Sequence, residues 1–285
     1  MKKAIQDSLD LIDFRFGEKT EKVAIKPNMC YYWDYSTGMT TDPKFVAAVV
    51  GIIRERLSQD VQISIVESDA SAMKCRYAFK ILGYEKMVKE KNVSLVNLTL
   101  DRKENVEVKV DNRSYGFEIP DTIRNSDLLL NIPKIKYMTG VKISCALKNI
   151  FGCNPYPKKF RYHPDLDRVI VALNKVMKSD LCIVDGIVVS GQYPTKLGLI
   201  MASKDPVAID SMAAEIAGIN PKHVRHVMLA QMEGIGKMAC KNVGENLEYF
   251  TERFPRKNAK QEARETILSF GAAMLEKLHL IFSVI

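Results

Sequence analysis

Short apolar runs rich in β-branched residues alternate with longer amphipathic stretches along most of this chain, and this alternation constrains its fold more than any other feature. Lys22–Lys26 (KVAIK), Val61–Val66, Val93–Val96, Leu128–Ile132, Leu181–Val189 and Leu197–Ala202 read as strands. Between them, Asp42 and Pro43 form an N-cap and first-turn pair for a helix through about Leu57, and Asp205 with Pro206 repeats the device. Helical material runs from about Ser71 to Lys91, broken near Gly83. Strands separated by helices need crossover connections. The chain is therefore expected to be α/β, a mixed, mainly parallel sheet with helices on both faces and the Lys22, Val61, Leu128, Leu181 and Leu197 strands central. VEVKV, a polar DNRS turn and YGFEI, within Asn105–Glu118, predict a peripheral β-hairpin turning at Asp111–Ser114. The segment from Pro133 through Gly152 reads as helical or irregular, and Pro164 with Asp165 as the start of a helix running to about Met177. Residues 1–240 are expected to form the α/β unit, as one body or two intimately packed lobes, and residues 241–285 a C-terminal helical extension.

With 285 residues, 47% hydrophobic and 27% charged, the composition is that of a globular protein and excludes wholesale disorder. Cys30, Cys75, Cys145, Cys153, Cys182 and Cys240 are scattered without a Cys-x-x-Cys pair, which excludes a zinc ribbon or a ferredoxin-type cluster motif. The first ten residues, MKKAIQDSLD, lack the apolar core of a signal peptide, and a reducing cytoplasmic setting is expected. Ile267–Ile285 is apolar, but Glu276, Lys277 and His279 interrupt it, so a packing helix, or a homo-oligomer or partner contact, is expected there rather than a membrane span.

Charge points to the kind of ligand. The formal net charge is +8, and no Asp or Glu occurs from Leu128 to Pro164, where Lys134, Lys136, Lys142, Lys148, Lys158, Lys159 and Arg161 all fall. A solvated basic face would explain this, and so would a site for a small anion. In open α/β sheets ligands gather beyond the carboxyl ends of the strands. On that basis Lys26, Asn28, Thr41, Asn131, Lys134, Lys148, Asn149 and Lys158 are candidate ligand-binding residues. His163, Glu67, Asp185 and Asp210 are candidates for proton transfer, or for a divalent metal whose presence the residues leave undecided. Asp210 lies inside an apolar helix (VAIDSMAAEIAG) and Asp185 inside an apolar strand, where a carboxylate requires a partner. No Walker loop or Gly-x-Gly-x-x-Gly run occurs, so the signal for a nucleotide is weak and the residues leave the cofactor unknown.

The order Lys26-Pro27-Asn28, Thr41-Asp42-Pro43, Glu67-Ser68-Asp69, Asn131-Ile132-Pro133-Lys134, Thr139-Gly140-Val141, Ala146-Leu147-Lys148-Asn149, Phe151-Gly152, Tyr162-His163, Asp185-Gly186-Ile187 and Asp205-Pro206-Val207-Ala208-Ile209-Asp210 resembles the family called domain of unknown function 362, from about Val23 to Gly236. The resemblance implies an α/β fold and no settled reaction. Some relatives carry an added ferredoxin-like cluster domain, whose cysteines are absent here. After Lys136, where relatives tend to have Thr-His, this chain has Tyr137 and Met138, and the glycine-rich stretch after Asp185-Gly186-Ile187 is reduced to Ser190, Gly191 and Gln192.

Two functional readings follow: an enzyme acting on a small anionic metabolite or cofactor through a basic strand-end cleft, or a non-catalytic carrier of such a ligand or of a redox centre. Nucleic-acid binding is disfavoured, because no recognised motif accompanies the lysines. Lys26, Asn28, Lys134, Lys148, Asn149 and His163 are expected to converge with Asp185 and Asp210 on one pocket.

Overall fold

Alternate residues of each central strand enter two separate cores. In β1 (Lys22–Pro27), Val23 and Ile25 pack on one side and Ala24 on the other. The computed structural model describes residues 1–256. The first core is covered by α1 (Lys2–Leu11), which buries Ile5 and Leu9, and by α2 (Pro43–Arg56), which buries Phe45, Val46, Val49, Ile52 and Ile53. The Asp42 carboxylate caps α2 by accepting from the Lys44 N–H, and Pro43 occupies its first turn. β2 (Gln62–Glu67) then leads through α3 (Cys75–Ile81) and α4 (Tyr84–Lys91), separated near Gly83, to β3 (Ser94–Asn97).

β4 (Lys103–Val110) and β5 (Arg113–Pro120) form a separate two-stranded antiparallel sheet. Its turn residues Asp111 and Asn112 have φ of 47° and 60°, a left-handed pair that short polar side chains tolerate. The short α5 (Asp121–Arg124) returns the chain to β6 (Leu128–Ile132), all of whose residues are buried.

The sequence after β6 departs from expectation. Instead of helix or loop, Lys136–Met138 (β7) and Lys142–Ser144 (β8) pair as a small antiparallel ladder joined to the main sheet through Lys136 and Ser190. Runs of three residues are too short to carry a periodicity, and it is sheet pairing that makes them strands. Then come α6 (Ala146–Ile150), a 3-10 helix at Lys159–Asp165, and α7 (Leu166–Val176). Pro164 lies inside the 3-10 turn rather than at the first turn of α7, and the Asp165 carboxylate does not cap; it binds Arg168 and Tyr115 instead.

β9 (Leu181–Ser190) and β10 (Pro194–Ser203) complete an eight-stranded sheet of order β3-β2-β1-β6-β9-β7-β8, with β10 paired to β9 alone. β1, β2, β3, β6 and β9 pair in parallel, whereas β10 runs antiparallel to β9. β10 is therefore an edge strand and not a central one. The second core lies under α6, α7, α8 (Pro206–Ile216), α9 (Arg225–Met232) and α10 (Leu247–Arg253), and includes Val110 and Phe117 of the hairpin. Asp205 caps α8 through the N–H groups of Val207 and Ala208. The packing helix expected at Ile267–Ile285, and any oligomer or partner contact through it, lies outside the described residues. Among the described residues no helix is long and apolar enough to cross a membrane.

Connections from the adjacent strands β1 and β6 go to opposite faces: α2 joins the first core, and α6 and α7 the second. Where neighbouring parallel strands part in this way, a crevice opens at their carboxyl ends.

Candidate functional site

Lysines gather at these carboxyl ends. Lys26, at the end of β1, is 1% exposed and donates to Glu67 Oε2 at 2.7 Å and to the Pro27 carbonyl at 2.6 Å. Glu67, at the end of β2, also accepts from the Ser68 N–H. The pair presses on Gly152, where an added Cβ would lie 2.7 Å from Lys26 Cε and 3.0 Å from Glu67 Oε1, so only glycine lets the chain pass. Lys159 is buried too, donating to Ser68 Oγ and, at 3.4 Å, to the Gly152 carbonyl.

Lys136 enters from β7, 3% exposed, and donates to Asn28 Oδ1 at 2.5 Å and to the Met39 carbonyl at 3.2 Å. Asn28 Nδ2 then donates to Asn149 Oδ1 at 2.8 Å, Asn149 Nδ2 to Asn131 Oδ1 at 2.8 Å, and Asn131 Nδ2 to the Ala146 carbonyl at 2.9 Å. This chain of amides ties β1, β6 and α6 together. It also fixes the helical turn that carries Lys148, which is half-buried beside Lys136 and Lys159. Among the described residues the Lys148 ammonium has no hydrogen bond or ion pair; its neighbour is the Phe151 ring, with the centroid 5.8 Å away. Burial, with Lys136 and Lys159 adding, brings its pKa down to about 8. Burial also lowers the pKa of Lys136 and of Lys159, and Lys26 contributes to both.

The other candidates are distributed around this cluster. Lys134 and Asp185, each 1% exposed at the side chain, pair at 3.1 Å, and Asp185 accepts from the Asp42 N–H. Thr41 Oγ1 donates to the Ile132 carbonyl and accepts from the Asn28 N–H, which holds the loop after β1 against β6. Asp210 is fully buried and accepts from the N–H groups of Ala146 and Leu147 at the start of α6. Its other neighbour is His226 Nε2 at 3.6 Å, and His226 Nδ1 lies 3.5 Å from Asp167. Burial opposes charge on His226, but the two carboxylates prevail and its pKa is raised; burial raises that of Asp210. Lys158 and His163 are exposed, with the His163 ring edge-on to Phe160 at 4.9 Å.

Lys26, Asn28, Glu67, Asn131 and Asn149 thus come together in one network, with Lys148 beside it on α6, Lys134 and Asp185 alongside, Asp210 at the start of α6, and Lys158 and His163 outside. Sequence reasoning passed over Lys159 as a site residue in favour of its neighbour Lys158, because adjacent lysines on a 3-10 turn cannot be ranked for burial without the fold. Lys136 and His226 were missed for a related reason: β7 has no sequence signature, and His226 is isolated in the sequence. The loop after β1 adds Cys30, half-buried near Lys136 and Lys148, and the exposed aromatics Tyr31, Tyr32, Trp33 and Tyr35. Gly38 brings this loop down on β9, with φ of 71° and an ideal Cβ position 2.4 Å from the Val189 carbonyl carbon. Among the described residues no group of three or more His, Cys, Asp or Glu side chains could hold a metal ion.

These features define a class, the doubly wound α/β protein, here with lysines clustered where its strand connections diverge. The chain belongs to the family described as Domain of unknown function (DUF362), whose model matches residues 23–215. It is 23% identical over 240 residues to thylakoid-associated protein sll1697 of Synechocystis sp., spanning 79% of this chain and 72% of that one. A lactate racemase apoprotein from Thermoanaerobacterium thermosaccharolyticum aligns with a TM-score of 0.42 at 10% identity, over 81% of this chain and 54% of the other, so the match spans about half of that protein.

Proposed function

We propose that this protein is an enzyme that binds a small carboxylate or phosphate in the crevice at the carboxyl ends of β1, β2 and β6. One observation carries the reading: Lys26, Lys136 and Lys159 gather around Glu67, and Lys148, beside Lys136 and Lys159, has no anionic partner among the described residues. Like charges held together in a partly desolvated crevice cost free energy that an anion would relieve. In this reading Lys136, Lys148 and Lys159 hold the anion, the amide chain through Asn28, Asn149 and Asn131 sets their spacing, and Glu67 transfers protons. Lys134 with Asp185, and Asp210 with His226, hold the strand ends and α6 in place. The cysteine distribution supports a reducing compartment such as the cytoplasm.

Thermal-shift titration with oxalate, citrate and inorganic phosphate against chloride tests the binding step. Saturable stabilisation is expected, and Lys148→Ala should weaken the tightest of these anions by about 1.5–3 kcal/mol, the scale of a charge-assisted hydrogen bond. The same substitution at exposed Lys196 should leave affinity unchanged. Equal effects at the two positions would remove the assignment.

A further inference from the structure

We infer that Lys148 is a nucleophilic amine that forms an imine with a carbonyl-bearing anion, of the 2-oxo acid class, held in the lysine crevice. The inference rests on the anion-binding reading above and adds the chemistry of the ligand. Anion binding alone would suit an ammonium locked in hydrogen bonds, as Lys26 and Lys136 are. Lys148 differs: it has solvent access, the apolar face of Phe151 on one side, and no acceptor among the described residues. The groups facing it are Lys136 from β7, Lys159 from the 3-10 turn and Cys30 from the loop after β1. Two of these are cations, and desolvation beside a cation is the arrangement that turns a lysine into a nucleophile near neutral pH. Lys148 accordingly loses its proton at about 8. Lys136 and Lys159 each donate to two protein acceptors, which leaves one ammonium N–H on each for a carboxylate and would place the adjacent carbonyl carbon at the free amine.

The step balances. The neutral Nζ lone pair attacks the carbonyl carbon and a C–N bond forms. The carbonyl oxygen takes up two protons in turn and leaves as water while the nitrogen loses its two hydrogens, so amine plus ketone gives imine plus one water, with no change of oxidation state. Solvent, to which Lys148 has access, accepts and returns the protons.

The test uses the full chain with pyruvate and cyanoborohydride, which delivers hydride to an imine carbon and leaves a stable secondary amine, located by peptide mass mapping. Lys148 should be modified roughly tenfold or more faster than exposed Lys196 and Lys222 near neutral pH, given an ordinary lysine pKa of about 10.4. Its rate should rise with pH and level off above about 8. Oxalate, which offers the carboxylates without a ketone, should suppress the reaction at Lys148 and not at Lys196. Lys148→Arg should keep oxalate binding, because the charge remains, and lose the adduct, because guanidinium does not deprotonate. Lys136→Met should move the midpoint of the pH profile upward by removing a flanking cation. If oxalate binds while Lys148 reacts no faster than Lys196, or if the Lys148 midpoint lies in the ordinary lysine range, the inference is overturned and the anion site stands. If neither oxalate nor pyruvate binds, both fall.

Discussion

Lys26 and Glu67 illustrate how a buried charge pair behaves at the level of single residues. Each is almost fully excluded from solvent, so removing one partner leaves the other charged, desolvated and without compensation. Lys26→Met is expected to cost about 3–5 kcal/mol in urea unfolding, and adding Glu67→Leu should recover most of it, since a well-packed apolar pair of similar volume is nearly neutral. Lys148 makes the opposite case, a cation with no anionic partner among the described residues and a loosely held proton. The sign follows from its pKa of about 8: an anion prefers the protonated form, so affinity is full below that pH and declines as pH rises through it. Isothermal titration with oxalate at a series of pH values in Lys148→Arg should show that decline abolished. The sequence revealed that lysines cluster between Leu128 and Pro164; it could not reveal that Lys136 and Lys159 turn inward while Lys158 turns outward, because side-chain direction on short irregular elements is set by what they pack against.

Among the elements, α6 depends most on groups distant in sequence. It is a five-residue helix, too short to be stable alone, and Asp210 of α8 satisfies its first N–H groups from 64 residues away. The apolar run around Asp210 signalled that this carboxylate needed a partner, and the partner proves to be backbone rather than lysine. Asp210→Asn should destabilise the protein by about 1–3 kcal/mol, the cost of losing a charged hydrogen-bond acceptor in a buried site. It also removes one of the two carboxylates that raise the His226 pKa. A histidine with a raised folded pKa contributes stability that is complete below its unfolded value of about 6.5 and lost as pH rises through the folded one. Urea midpoints taken on both sides of that window should therefore differ less in Asp210→Asn than in the parent chain.

For the whole molecule, one sheet serves two cores. Leu129 and Leu130 are neighbours in β6, yet Leu129 packs under α6 and α7 and Leu130 under α1 and α2. Leu129→Ala and Leu130→Ala should each cost about 2–5 kcal/mol. If the sheet couples the two cores, both should displace the same cooperative transition, with far-UV and near-UV circular dichroism coinciding. Separate shifts of two transitions would mean that the cores unfold independently.

The sequence by itself determined the elements whose signals are local: β1, β2, β6 and β9 from their β-branched runs, α2 and α8 from Asp-Pro starts, and the β4–β5 hairpin from its polar turn. Period and capping are short-range physics, complete within a dozen residues. Tertiary structure alone decided that β10 is an edge, that Lys136–Met138 and Lys142–Ser144 are strands, and that Asn28, Asn149 and Asn131 join into one amide chain. Those outcomes depend on pairing and burial between separate segments, up to the 108 residues spanned by the hydrogen bond from Lys136 to Asn28, and such contacts leave no periodic trace in either segment.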